Sequence, residues 1–400
     1  MYSLIAIFLS IPLIFSHFFG RVWADFIIEN SIGHFESVKM HLFLSLLIIA
    51  TLEMLWTKWR AISQSLKRHR YLFFWMIGII LFLSTYIYEY PNLRDLALGI
   101  GEKQHGLLLP IGLIWLGYLL SFLTTLERRK ILYALFFSGI FISLVSLLEG
   151  VLRYDIFSGL PFVNTGSWWD IRATATLGNP NYVAGYLLML LPLAWWYLIW
   201  WKRYIICMLM IFGILMTKSL IAISLMIAYF LGLIWYRYLW KKIYVLLPIY
   251  GLTILSLIYI ATPDSEKWIS LISRFVLMKY TLIGESISPI SLFFGHGPDA
   301  ITQIFALMRP EEVDQYFPRN SIIDSSHNIW IDIFVSYGLS GLVLCIWYMS
   351  RGWSKRDIFR KSSIVLSIIF LSLNVVVISH LIVLVWLLWD TWQERDPIVS

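Results

Sequence analysis

From its amino end the chain alternates apolar stretches of about 20 residues with short polar breaks, and each stretch is long enough to cross a hydrocarbon core of roughly 30 Å as a helix. The pattern predicts spans near 2–19, 39–56, 71–89, 106–124, 131–150, 181–201, 204–217, 219–236, 243–261, 327–349 and 363–389. The last stretch is long, and a break between Asn374 and His380 would divide it into two short spans. The fold class expected is therefore an all-α integral membrane protein with about 11–12 transmembrane helices. A membrane β-barrel would need short segments of alternating polarity, and the sequence has none. The first apolar stretch has neither a basic leader nor a good small-residue cleavage site, so it reads as a retained span.

Composition agrees with the pattern: 59% of residues are hydrophobic, 14% are charged, and mean hydropathy is +0.76. The net charge of +7 does not point to nucleic acid, because the cations sit in short loops between spans. One set of loops holds Lys58, Arg60, Lys67, Arg68 and Arg70, then Arg128, Arg129 and Lys130, then Lys202 and Arg203. It continues through Arg237, Lys241 and Lys242 to Arg351, Lys355, Arg356, Arg360 and Lys361, with Glu127 and Asp357 as its only acids. By the positive-inside rule these loops and the amino terminus are cytoplasmic, and the loop at 262–326 faces outward.

On that outer side three polar segments stand out, at 20–38, 150–180 and 262–326. The second carries Trp168, Trp169 and Arg172, the last just before the tight turn Gly178-Asn179-Pro180-Asn181. An anionic ligand is a natural purpose for that cation, although it also suits an interfacial anchor that snorkels to headgroups. Trp168 and Trp169 fit an aromatic belt or a platform for stacking a sugar. The third segment is too long for a simple connection and contains an apolar run, 268–280, spaced as an interfacial helix with Arg274 and Lys279 on its wetter side. The turn Phe294-Gly295-His296-Gly297-Pro298-Asp299 follows, so the segment is expected to fold over the membrane surface. Cys207 and Cys345 lie in apolar spans at no metal-binding spacing, and no Asp-x-Asp cluster occurs on the outer side.

Four pieces in order resemble one family. They are Arg172 with Gly178-Asn179-Pro180-Asn181, then Thr217-Lys218-Ser219, then Gly295-His296-Gly297-Pro298, then His327-Asn328-Ile329-Trp330 leading to Tyr337-Gly338-Leu339-Ser340-Gly341-Leu342. Over roughly 170–350 the chain resembles the O-antigen ligase and polymerase family of lipid-linked glycosyltransferases. The family commonly has Ser-Arg-Gly where this chain has Thr217-Lys218-Ser219, and lysine lacks the bidentate fork of arginine. The resemblance divides one polytopic domain, 1–400, into amino-terminal helices at 1–150, a catalytic region at 151–350 that includes the outer loop, and a carboxy-terminal part at 351–400.

It implies a GT-C-type membrane enzyme of the bacterial inner membrane, its site facing the periplasm, working without cofactor or metal. The donor would be an undecaprenyl-diphosphate-linked glycan, and the acceptor lipid A–core for a ligase or a second lipid-linked glycan for a polymerase. Arg172, Lys218 and Arg274 would clamp the diphosphate, since basic groups can neutralise the charge that develops as the glycosidic bond breaks. His327 would take or orient the acceptor proton, with Asn328 and Asp332 orienting it or binding sugar alongside Trp168 and Trp169. Local readings remain for each: Lys218 as a headgroup lysine, Arg274 as the polar face of an interfacial helix, His327 as a helix-start residue. A reading of another class, a transporter or flippase of lipid-linked sugars, predicts paired repeats, broken helices and charges near mid-bilayer; the sequence has no convincing repeat, and its charges cluster at the outer surface.

Overall fold

The computed structural model describes residues 1–13, 35–86, 97–98, 106–156, 160–161, 172–234, 266–283, 289–298, 300–317, 319, 323–350, 358–375 and 377–389. Among these the chain is helical apart from a two-residue antiparallel pairing, β1 (Tyr154–Asp155) with β2 (Leu160–Pro161). The helices are α1 (Tyr2–Leu13), α2 (Phe35–Tyr86), α3 (Leu108–Leu120), α4 (Thr125–Leu152), α5 (Pro180–Tyr197), α6 (Trp200–Thr217) and α7 (Leu220–Ile234). They continue with α8 (Glu266–Ile283), α9 (Pro289–Phe294), α10 (Ala300–Leu307), α11 (Glu311–Asp314), α12 (Ile329–Ser350), α13 (Ile358–Leu371) and α14 (Ile378–Trp389).

Three of the described helices are long and apolar enough to cross a membrane: Val38–Gln64, Thr125–Leu152 and Ile329–Trp347. Tyr2–Leu13, Leu108–Leu120, Leu220–Ile234 and Ile378–Leu388 are apolar but shorter. Among the described residues, then, fewer helices reach full span length than the sequence pattern predicts. Ser121–Leu123 leaves the helix as a turn, and 363–389 divides after Leu371 into α13 and α14. The expected loop at 57–70 is instead helical, and α2 marks the spot only by a non-helical Lys58 (φ −130°, ψ 23°). The span expected at 243–261 lies outside the described residues.

At the centre is α5. Every residue from Val183 to Ala194 is buried, as a helix apolar on all sides requires. It packs chiefly on α6 and α13. Gly185 lets α13 approach so closely that a Cβ there would stand 2.3 Å from the Phe370 ring, the small-residue packing typical of helices in lipid. On α4 the exposed residues Tyr133, Phe137, Phe141, Leu144 and Leu148 form an apolar stripe along the helix, a surface suited to hydrocarbon.

Polar contacts collect at two opposite ends. At one end Glu53 pairs with the amino terminus, and Lys58 Nζ donates to the Phe122 carbonyl at 2.8 Å and to Glu127 at 2.7 Å. Buried Arg360 lies between the rings of Tyr197 and Trp386. Lys58, Glu127 and Arg360 all come from loops that the charge pattern assigns to a single side. At the opposite end are the carboxyl ends of α1, α4, α6 and α13 and the amino ends of α5 and α14. The segment between α7 and α12 builds its own small core from residues such as Val276, Ile301, Ile304 and Val313, which packs on Val335 of α12.

Candidate functional site

Arg172 lies in a loop held in place by hydrogen bonds to three helices, to a side chain of one and to backbone carbonyls of the other two. Buried Glu149, near the end of α4, accepts from Thr174 N at 2.9 Å and Ala175 N at 2.8 Å. Thr176 Oγ1 donates to the Pro12 carbonyl at 2.7 Å, and Ala173 N donates to the Met216 carbonyl at 3.1 Å. Gly178 turns the chain in the left-handed region (φ 72°), Asn179 caps α5 by accepting from Asn181 N, and Pro180 fills the first helical position. This is the capping chemistry that the Gly-Asn-Pro-Asn run encodes. Asn181 also accepts from Arg172 Nη2 at 3.2 Å, and Arg172 Nε donates to the Thr217 carbonyl at 3.1 Å. The first two sequence pieces thus meet through Arg172. Its side chain keeps an exposed surface, yet the surrounding protein desolvates the guanidinium and lowers its pKa.

Lys218 ends α6 with a left-handed backbone (φ 50°) and stands at the α6–α7 break, next to the carbonyl that holds Arg172. A cation there complements the negative end of the helix dipole.

Arg274 departs from expectation. The amphipathic reading puts it with Lys279 on a wet face, but Lys279 is exposed while Arg274 turns inward. Its Nη1 donates to the Leu373 carbonyl and weakly to Asn374 Oδ1 at 3.4 Å, in the turn between α13 and α14. The end of α13 leaves carbonyls without helical partners, which is why a half-buried donor is drawn to it. Desolvation lowers the Arg274 pKa, and the nearby positive charge of Arg172 lowers it further. The structure therefore brings the two arginines together.

His327 precedes α12 with a left-handed backbone (φ 61°). Asp332 organises the approach by accepting from Ser325 Oγ at 2.9 Å and from Ser326 N at 2.9 Å and Oγ at 2.5 Å, while His327 N donates to Ser325 Oγ at 3.0 Å. Asn328 caps the helix, accepting from Trp330 N at 2.9 Å and Ile331 N at 3.2 Å. Both Asn328 and Asp332 thus have positioning work to do, whatever else they bind. Trp330 Nε1 donates to Ser372 Oγ at 2.9 Å, so the His327 segment docks on the same 372–374 turn as Arg274. His380, starting α14, donates from Nε2 to the Tyr182 carbonyl at 2.9 Å and ties that turn to α5.

The third and fourth pieces also meet. His296 N and Gly297 N donate to the carbonyls of Val335 and Ser336 at 2.8 and 2.9 Å. His296 itself is buried in this turn.

Among the described residues four non-glycines have positive φ: Arg153, Ala175, Lys218 and His327. Three of these belong to the Arg172 loop, the Lys218 break or the His327 segment, and retained backbone strain of this kind concentrates at functional sites. Trp168 and Trp169 lie outside the described residues. No group of three or more His, Cys, Asp or Glu able to hold a metal ion occurs among the described residues. Sequence reasoning passed over Glu149 and the 372–374 turn as parts of the site. A carboxylate at the end of an apolar span was the available signal for the first.

Comparison with protein-family models, curated proteins and solved structures gives no match.

Proposed function

We propose that the chain is a GT-C-type membrane glycosyltransferase that moves a glycan from undecaprenyl diphosphate to an acceptor hydroxyl on the outer face of the bacterial inner membrane, acting as an O-antigen ligase on lipid A–core. The observation that carries this reading is the convergence of Arg172 and Arg274 from distant segments: Arg172 bonds to Asn181 of α5, and Arg274 bonds to the turn that His380 ties to the adjacent Tyr182. Like charges brought together at a polar helix end suit a dianionic ligand. In the proposed step the acceptor oxygen bonds to the anomeric carbon of the donor glycan and the bond from that carbon to the diphosphate breaks. Undecaprenyl diphosphate leaves with the electron pair. Arg172, Arg274 and Lys218 stabilise its charge, and His327 receives or orients the acceptor proton.

The test is transfer by the purified chain from an undecaprenyl-diphosphate glycan, offered lipid A–core or a second lipid-linked glycan, with and without chelator. Product on lipid A–core that survives chelation supports the ligase. Product only on the lipid-linked acceptor makes it a polymerase. Full activity in both Arg172→Ala and His327→Ala removes this site, and loss on chelation removes the metal-free clamp.

A further inference from the structure

The outer segment meets α12 at an unexpected depth. Gly338 is the middle residue of the apolar stretch Ile329–Trp347, about 14 Å along the helix from Ile329 at 1.5 Å per residue. At Gly338 the helix breaks (φ 63°, ψ −163°), and the end of α9 lies against it: a Cβ on Gly338 would come within 2.5 Å of Phe293 C and O. A break in mid-span strands carbonyls of the preceding turn. Here the Val335 and Ser336 carbonyls accept from His296 N and Gly297 N of the turn that follows α9. Irregular backbone is tolerated within a bilayer only when its polar groups are satisfied in this way.

The side chains of α9 continue a lipid-type surface. Past the break α12 exposes Leu339, Val343 and Ile346 at helical spacing, and beside them α9 exposes Leu292 and Phe293. Phe293 is 52% exposed and Val343 58%, so the short helix is as bare as the span it lies on. A large aromatic left open to water on a segment that has its own small core has no such explanation.

We propose that residues 289–298 form a re-entrant element. It enters the bilayer beside α12 to near its mid-plane, and Leu292 and Phe293 contact lipid acyl chains. The segment from 266 to 328 is then not wholly extramembranous: its Gly295-His296-Gly297-Pro298 turn is seated within the membrane and repairs a broken span.

The test uses the full chain in vesicles of phosphatidylethanolamine and phosphatidylglycerol. Nitroxide labels are placed singly at Phe293→Cys, Val343→Cys and Lys279→Cys, with Cys207 and Cys345 replaced by serine. Oxygen, which partitions into lipid, is expected to relax the labels at 293 and 343 alike. A water-soluble nickel chelate should relax only the one at 279. Nickel relaxation at 293 matching that at 279 would overturn the proposal. The unsubstituted chain supplies a second measurement if a variant misfolds. A lipid-dissolved carbene precursor should label the 289–294 peptide and a water-soluble one should not, and the reverse pattern refutes the re-entrant placement.

Discussion

Arg274 feels the positive charge of Arg172, which adds to the desolvation that already lowers its pKa. The hydrogen-bond acceptors around the two guanidiniums are neutral: the Thr217 and Leu373 carbonyls and the amide oxygens of Asn181 and Asn374. Among the described residues neither arginine has a carboxylate partner. The two guanidiniums thus share one helix end with only neutral acceptors around them. Replacing Arg172 with alanine should leave the melting temperature of the ligand-free protein nearly unchanged, because relief of repulsion offsets the two lost hydrogen bonds. The same change should weaken binding of a polyprenyl diphosphate roughly 10- to 100-fold, the worth of one charged hydrogen-bonding group. Ligand-induced thermal shifts of wild type, Arg172→Ala and Arg274→Ala measure both quantities. Arg172→Lys should recover little, since one ammonium does not reproduce the planar fork.

Gly295 and Gly338 touch backbone to backbone, and alanine at either would clash. A Cβ on Gly295 would stand 2.4 Å from Tyr337 N, and both residues hold positive φ. Each substitution should destabilise the protein by about 1–3 kcal/mol for the strained backbone, with the clash in addition. Gly232, inside α7 with open space around it, is the control. There alanine should be neutral or stabilising by about 0.5–1 kcal/mol. Thermal unfolding of the three variants in detergent separates the two cases.

Much of this architecture is legible in the sequence. Apolar periodicity places most helices, and Gly178-Asn179-Pro180 marks the start of α5 because its turn and cap chemistry is local. The break after Leu371 is foreshadowed by polar residues inside an apolar run. Arg274 is misplaced on the wet face because helix periodicity cannot know that the α13–α14 turn, a hundred residues on, offers it a carbonyl. Glu149 shows in the sequence only as a carboxylate at the end of an apolar span; its partners are backbone N–H groups, which carry no sequence signature. Around Lys58 a run of basic residues looks like a loop, yet the break is confined to a kink at Lys58 itself, because the lysines and arginines that follow are good helix formers.

The segment that carries α10 and α11 should loosen in acid and hold at neutral pH. Arg319 and then Arg309 keep the Asp314 carboxyl below the usual carboxylate range, with bonds of 2.7 and 2.8 Å. Hydrogen bonds from Tyr280 and Lys279 do the same for Glu312. A folded-state pKa below the unfolded value of about 4 gives stabilisation that is fully present above that value and is lost as pH falls through the folded one. Amide exchange across 300–317, corrected for intrinsic rates, should therefore be flat from neutral pH down to the carboxylate range and rise below it. Asp314→Asn should show part of that rise already at neutral pH. High salt should shrink the difference, because these pairs are at the surface.

Glu149 should govern the Arg172 loop without touching a ligand. Its carboxylate oxygen accepts from two successive N–H groups, and removing it leaves Thr174 N and Ala175 N without that partner, beside the strained Ala175 (φ 41°). Glu149→Ala should cost about 1–3 kcal/mol for each buried N–H left unsatisfied, and it should weaken diphosphate binding through the displaced Arg172. Glu149→Gln keeps an acceptor oxygen at the same reach, so it should retain most of the stability and most of the binding. If the residue were needed only for its charge, glutamine would fail as badly as alanine. The ratio of the two variants in thermal unfolding and in diphosphate affinity therefore decides between a positioning acceptor and an electrostatic role.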